Sequence, residues 1–253
     1  MGRKRSRHYE DKRWMNTPRA FGLYGPARPR ALFFDIDDTL VDRAGAFHRY
    51  LEALMARYPQ VFPVERRTED LARIHALDGR GHRDRQVFCE DVVAAFPGLG
   101  LPPKELWWDI YQGLPTFVRG DPELVTLLGE VAKRQPVQLV SNGSGAMQRK
   151  KLLHAGLYHW LPDGTYSGDV GAEKPDARIF RAALDVVQRD PSEVLHIGDD
   201  PERDIVGAAN MGFATCWVSH GRTWPESLPP PTFTLERITS RVRDLAAVLA
   251  QWT

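Results

Sequence analysis

Acidic residues crowd two short stretches of this 253-residue chain. The first is Ala31-Leu32-Phe33-Phe34-Asp35-Ile36-Asp37-Asp38-Thr39-Leu40, an apolar run that ends in three carboxylates. The second is Gly198-Asp199-Asp200-Pro201-Glu202-Arg203-Asp204, and between the two lie Ser141-Asn142-Gly143 and Lys174-Pro175. Carboxylates brought together repel one another, and burial raises their pKa values. A hard divalent cation relieves both costs, and Mg²⁺ is the usual choice beside phosphate. Lys174 supplies a second positive charge. Ser141, Asn142 and the backbone amides near Asp35 and Gly143 can hold phosphate oxygens. A carboxylate can attack phosphorus to give an aspartyl-phosphate, and Asp37 could protonate the leaving oxygen and later deprotonate water.

One carboxylate pair is too little for this chemistry. Hydrolysis of a phosphate monoester calls for accelerations up to ~10²¹, whereas one general acid or base supplies about 10²–10⁴. Most of the barrier has to fall to charge placement, which requires several dispersed groups. The four stretches match that requirement if the fold brings them together.

The elements that would do so are legible. Strands are expected over 31–36, 137–140, 194–197, 214–218 and 232–235, alternating with helices over 122–134, 145–155, 177–188, 203–210 and 236–250. Asp121-Pro122-Glu123 is a helix start: a capping acceptor, a proline where no amide donor is needed, and an acid favoured by the helix dipole. Such alternation implies an α/β fold, a Rossmann-like parallel sheet with helices on both faces, which binds ligands at the carboxyl ends of its strands. Three of the polar clusters follow three of these strands. Residues 43–114 differ: apolar residues recur at three- and four-residue steps over 44–58, 66–77, 83–96 and 103–113, with prolines between. They read as an inserted all-helical cap, leaving 31–42 and 115–253 as the core.

Composition excludes other classes. A net charge of +1 gives no overall attraction to nucleic acid or membrane. Cys89 and Cys216 are far apart in sequence and imply a reducing cytoplasm, and no apolar run could span a bilayer. Residues 1–30 hold nine Lys/Arg against Glu10 and Asp11. They read as a flexible, solvated leader, or as a start placed upstream of Met15, in preference to a nucleic-acid-binding arm.

Motif by motif, the chain from about 31 to 251 resembles the haloacid dehalogenase-like (HAD) phosphohydrolases. Asp35-Ile36-Asp37-Asp38-Thr39-Leu40 is similar to the family's first motif, which implies Asp35 as nucleophile and Asp37 as acid/base, with the Asp37 carbonyl on Mg²⁺ and Thr39 near the phosphate. Ser141-Asn142-Gly143 resembles the second motif, with its hydroxyl on phosphate, and Lys174-Pro175 the third. Gly198 to Asp204 resembles the fourth, implying Asp199 as direct metal ligand with Asp200 and Asp204 supporting. The helical block is similar to the family's C1 cap. The dehalogenase branch lacks an acid two residues after its nucleophile, so Asp37 favours phosphate chemistry.

The expected function is a Mg²⁺-dependent phosphatase for a small phosphorylated metabolite. The alternatives are a phosphomutase, which passes the phosphoryl group to a second hydroxyl, and a non-catalytic phospho-acceptor. Asp204 could instead cap the following helix, and Asn142 could be a turn residue. Arg80, His82, Arg83 and Arg85 lie in a basic, glycine-flanked cap segment that reads either as a substrate reader or as a solvated loop. His75, His82 and Cys89 fall at seven-residue steps, but without a fourth ligand they make no zinc site.

Overall fold

The computed structural model describes residues 29–237 and 242–250; residues 1–28, nearly all of the basic leader, lie outside the described residues. Its centre is strand β1, Ala31–Phe34, whose four side chains are fully buried. Strands of a parallel sheet are covered on both faces, which is why this one is apolar throughout. The sheet adds β2 (Val137–Ser141), β3 (Gly164–Tyr166), β4 (Val194–Gly198), β5 (Ala214–Val218) and β6 (Phe233–Leu235). All pair in parallel in the order β3-β2-β1-β4-β5-β6, with Phe34 opposite both Leu139 and Ile197.

Between β1 and β2 run α1 (Arg43–Arg57), α2 (Arg67–Asp78), α3 (Arg85–Ala95), α4 (Pro103–Gly113) and α5 (Pro122–Ala132). The strand-free stretch before α5 ends in a 3-10 turn, Leu114–Phe117. Later come α6 (Gly145–His154), α7 (Ser167–Val170), α8 (Ala177–Val187), α9 (Gly207–Asn210) and α10 (Val242–Ala250). Alternate residues of β1 face opposite sides. Leu32 and Phe34 pack with Leu124 and Leu128 of α5 and Leu245 of α10, while Ala31 and Phe33 pack with Ile179 and Phe180 of α8 and Ala208 of α9. Helices therefore cover both faces, as the alternation of elements implies.

The differences from expectation are local. The strand expected over 31–36 ends at Phe34, because the chain turns at Asp38, where φ is 56°, and returns through a bridge between Asp37 and Val41. Strand β3 has no counterpart in the expectation: three residues are too few to show a period, and β3 is defined only by pairing with β2. The helix expected over 203–210 is a π-type turn, Pro201–Val206, running into α9. The one expected over 236–250 is seen as α10, and residues 238–241 lie outside the described residues.

Side-chain caps fix the helix starts: Asp42 for α1, Asp84 for α3, Asp121 for α5, Ser144 for α6 and Asp176 for α8 each accept from an amide of the first turn. One buried ion pair ties the start of α1 to the end of α2. Arg43 donates to both oxygens of Asp78 at 2.6 and 2.7 Å, and Arg85 donates to the same carboxylate at 3.2 Å. Asp78→Ala would strand the Arg43 guanidinium in the core, which costs about 3–5 kcal/mol. Urea denaturation should show a loss of that size, with a smaller one for the apolar double variant Arg43→Met/Asp78→Leu. A single variant as stable as the parent would show that the pair does not hold the helices.

Candidate active site

The acidic residues collect where β1 and β4 end side by side. Asp35 follows β1 directly, its amide donating to Ile197 O of β4 at 2.9 Å. Asp199 follows β4, and Asp204 comes from the π-type turn behind it. Gly198 allows the approach, since a Cβ there would overlap the Asp204 carboxylate. Here the sheet order reverses direction, the place where open α/β sheets bind ligands.

Lys174 reaches this cluster from the loop before α8. Its Nζ donates to Asp35 Oδ1 and Asp204 Oδ1, each at 2.6 Å, and all three side chains are buried. Asp204 Oδ1 also meets His196 Nε2 at 3.1 Å, and its Oδ2 accepts the Asp200 amide at 3.0 Å. Burial pushes Asp35 up to about 7 against the pull of Lys174. Burial, and then the Asp204, Asp35 and Asp38 carboxylates, push Asp199 up to about 8. Burial acts on Asp204 too, but Lys174 and His196 outweigh it and hold that carboxyl well below the usual range.

One oxygen each from Asp35, Asp199 and Asp204 lies within 4.8 Å of the others. An all-oxygen, buried donor set with two carboxyls pushed toward neutrality suits a hard divalent cation such as Mg²⁺. Asp200 is turned elsewhere: its Oδ1 caps the π-type turn, and its Oδ2 lies 3.0 Å from His82 Nε2.

The Asp37 carboxylate is held by side chains of α6. Lys151 Nζ sits 2.7 and 2.6 Å from its two oxygens, and Gln148 Nε2 lies 3.2 Å from Oδ2. Burial alone would raise this carboxyl, but the Lys151 charge and hydrogen bonds prevail and keep it below its ordinary value. Gln148 also donates to Ser141 Oγ at 3.0 Å, so the Ser141 hydroxyl has its own proton to give. Asn142 clamps the Lys174 backbone, accepting from its amide at 2.8 Å and donating to its carbonyl at 3.2 Å. The Gly143 amide donates to Ser167 Oγ at 2.9 Å.

A cavity of about 80 Å³ opens among Asp35, Asp37, Ser141, Asn142, Lys174 and Asp199. Arg43, Arg80, His82 and Arg85 also line it, from the helices inserted after β1. Gly79 and Gly81 take positive φ, as does Arg80 between them, and this turn aims Arg80 at Asp199 Oδ2, 3.1 Å away. Arg222 meets the same oxygen at 3.0 Å. Arg83 is elsewhere, paired with Asp91, and Thr39 is buried beside a neighbouring cavity of 400 Å³.

Lys151, Gln148, Arg43, Arg222 and His196 had not been singled out in the sequence. Gln148 and Lys151 stand one turn apart on α6, which begins just after Ser141-Asn142-Gly143. That spacing was the available signal. The others gave none: the partners of Arg43 and Arg222 lie 35 and 23 residues away, beyond any local spacing, and His196 sits on a strand whose pattern reads as plain core.

A family model described as haloacid dehalogenase-like hydrolase matches residues 29–212. Among curated relatives, pyrimidine 5'-nucleotidase YjjG of Escherichia coli is 37% identical over 43% of this chain and 49% of its own length. Phosphoserine phosphatase of Thermus thermophilus is 40% identical over 69% of this chain and 66% of its own. The chain thus spans about half of one and just under two thirds of the other. The HAD-hydrolase YfnB of Bacillus subtilis, solved bound to magnesium, superposes with a TM-score of 0.71 at 22% identity, covering 88% of this chain and 99% of that one. The match over residues 29–212, most of the chain, places it among the haloacid dehalogenase-like hydrolases.

Proposed function

We propose that the protein is a Mg²⁺-dependent phosphatase that hydrolyses a small phosphorylated metabolite through an aspartyl-phosphate on Asp35. The observation that carries this reading is the convergence of Asp35, Ser141, Lys174 and Asp199 around one cavity. The names of the two curated relatives, a nucleotidase and a phosphatase, agree with it.

Lys174 engages Oδ1 of Asp35 and leaves Oδ2 to attack phosphorus. Ser141 and Lys174 would hold the transferred phosphoryl oxygens, and Asn142 fixes Lys174 through its backbone. Asp35, Asp199 and Asp204 would hold Mg²⁺, with the Asp37 carbonyl as a further ligand and Asp200 supporting. Bound there, the ion supplies positive charge beside the phosphoryl group and offsets its repulsion of the incoming carboxylate. Asp37 is kept ionised by Lys151, the form that takes a proton from water when the aspartyl-phosphate is hydrolysed. Protonating the leaving oxygen draws on the Asp37–Lys151 pair, whose proton rests on Lys151. Residues 43–114 act as a cap that keeps bulk water, and long polymers, out of the closed site.

Asp35→Asn removes the nucleophile. Release of p-nitrophenol from p-nitrophenyl phosphate in Mg²⁺ buffer should fall by a factor of about 10³ or more. Near-normal turnover would take Asp35 out of its role.

The raised carboxyls also predict proton release on metal binding. In the metal-free protein Asp35 and Asp199 ionise only near pH 7 and 8, and Mg²⁺ requires them ionised. Calorimetry should therefore show Mg²⁺ affinity rising between pH 6 and 8, with protons released at the low end and none above pH 9 or so. An affinity that is flat over this range would mean that these carboxylates do not receive the ion.

A further inference from the structure

A second cavity, of about 150 Å³, lies against the first and shares Asp37, Arg43, Arg85 and Asn142 with it. It opens between the inserted helices and α6. Its apolar wall is Phe47, Phe88, Trp107, Ile110, Leu114 and Met147. Every charged side chain on it already has a partner: Arg43 and Arg85 hold Asp78, and Lys151 holds Asp37. A ligand there meets mainly aromatic and aliphatic surface, with Asn142, Ser144 and Gln148 as uncharged polar neighbours and two arginines that share one carboxylate.

We propose that this cavity receives the leaving group, and that the substrate class is the monophosphate of a compact, largely apolar alcohol or phenol of about benzene size. The inference rests on the phosphatase reading above and deepens it. Three observations support it. Asp37, the group placed to serve the leaving oxygen, stands on the wall shared by the two cavities, so whatever is bonded to that oxygen lies next to Asp37. A void of ~150 Å³ with one wall of apolar side chains has room for a ring the size of benzene, whereas a nucleoside is far larger. A second phosphate or carboxylate on the substrate would have to draw Arg43 or Arg85 away from Asp78, the carboxylate they share. The specificity is therefore for shape and apolar surface, in contrast to the polar substrates named for the curated relatives.

The test pairs turnover with binding. Phosphate release from benzyl phosphate, methyl phosphate, glycerol 3-phosphate and uridine 5'-monophosphate is compared in Mg²⁺ buffer. Alongside, calorimetry compares benzylphosphonate with methylphosphonate, which cannot turn over. Benzyl phosphate should have the highest kcat/KM, and benzylphosphonate should bind about tenfold tighter than methylphosphonate. Trp107→Ala should lower kcat/KM about tenfold for benzyl phosphate and at most about twofold for methyl phosphate, with Trp107→Phe restoring most of it. Retained methyl phosphate turnover shows that the variant is folded. A preference for uridine 5'-monophosphate or glycerol 3-phosphate, or equal affinity for the two phosphonates, would overturn the assignment of the cavity. Tighter benzylphosphonate binding with no phosphate released from any substrate would keep the cavity as a ligand site and overturn the hydrolase.

Discussion

The site is organised by one buried lysine. Lys174 is held between Asp35, at the end of β1, and Asp204, behind the end of β4, at 2.6 Å from each. Its backbone is clamped in turn by Asn142, just past the end of β2. One side chain and its peptide therefore register three strand ends against each other. A buried ion pair of this kind adds little net stability, because desolvation of its members offsets their attraction. What it fixes is position. Without it, the carboxylates would sit closer than their charges tolerate, and the cavity between them would lose its shape.

Electrostatics divides the acids into two groups. Asp37 has Lys151 to itself, and Asp204 has His196 as well as the Lys174 it shares with Asp35; both remain ionised. Asp35 and Asp199 are left short of positive charge, and their pKa values rise toward 7 and 8. Arg80 and Arg222 approach Asp199 but do not cancel the deficit. The shortage lies where a metal and a phosphoryl group are proposed to meet, so the protein holds in reserve a charge that its ligands complete.

Much of this was legible in the sequence, for a simple reason. Asp35 and Asp199 come directly after a strand and Ser141 is the last residue of one, so in a parallel sheet their place is set by the strand. Lys174 was legible by residue type, and the structure supplies what sequence cannot, its bidentate hold on Asp35 and Asp204. Lys151 was not legible, because its meeting with Asp37 depends on how α6 docks. Thr39 and Arg83 carry suitable chemistry, yet the turn after Asp38 takes the first to a neighbouring cavity, and Asp91 holds the second. Strand β3 needed its partner to be recognisable at all. Local order is written in local sequence, while contacts across the inserted helices are written in packing.

In the proposed reaction the Asp35 carboxylate, held through one oxygen by Lys174, becomes covalently bonded to phosphorus. The most direct measurement is to quench turnover of benzyl phosphate or p-nitrophenyl phosphate with borohydride, which reduces an acyl phosphate to the alcohol, and then to map the chain by peptide mass spectrometry. Homoserine should appear at position 35 and at no other aspartate. Homoserine at Asp37 or Asp199, or continued phosphate release with residue 35 unmodified at every quench time, would contradict it.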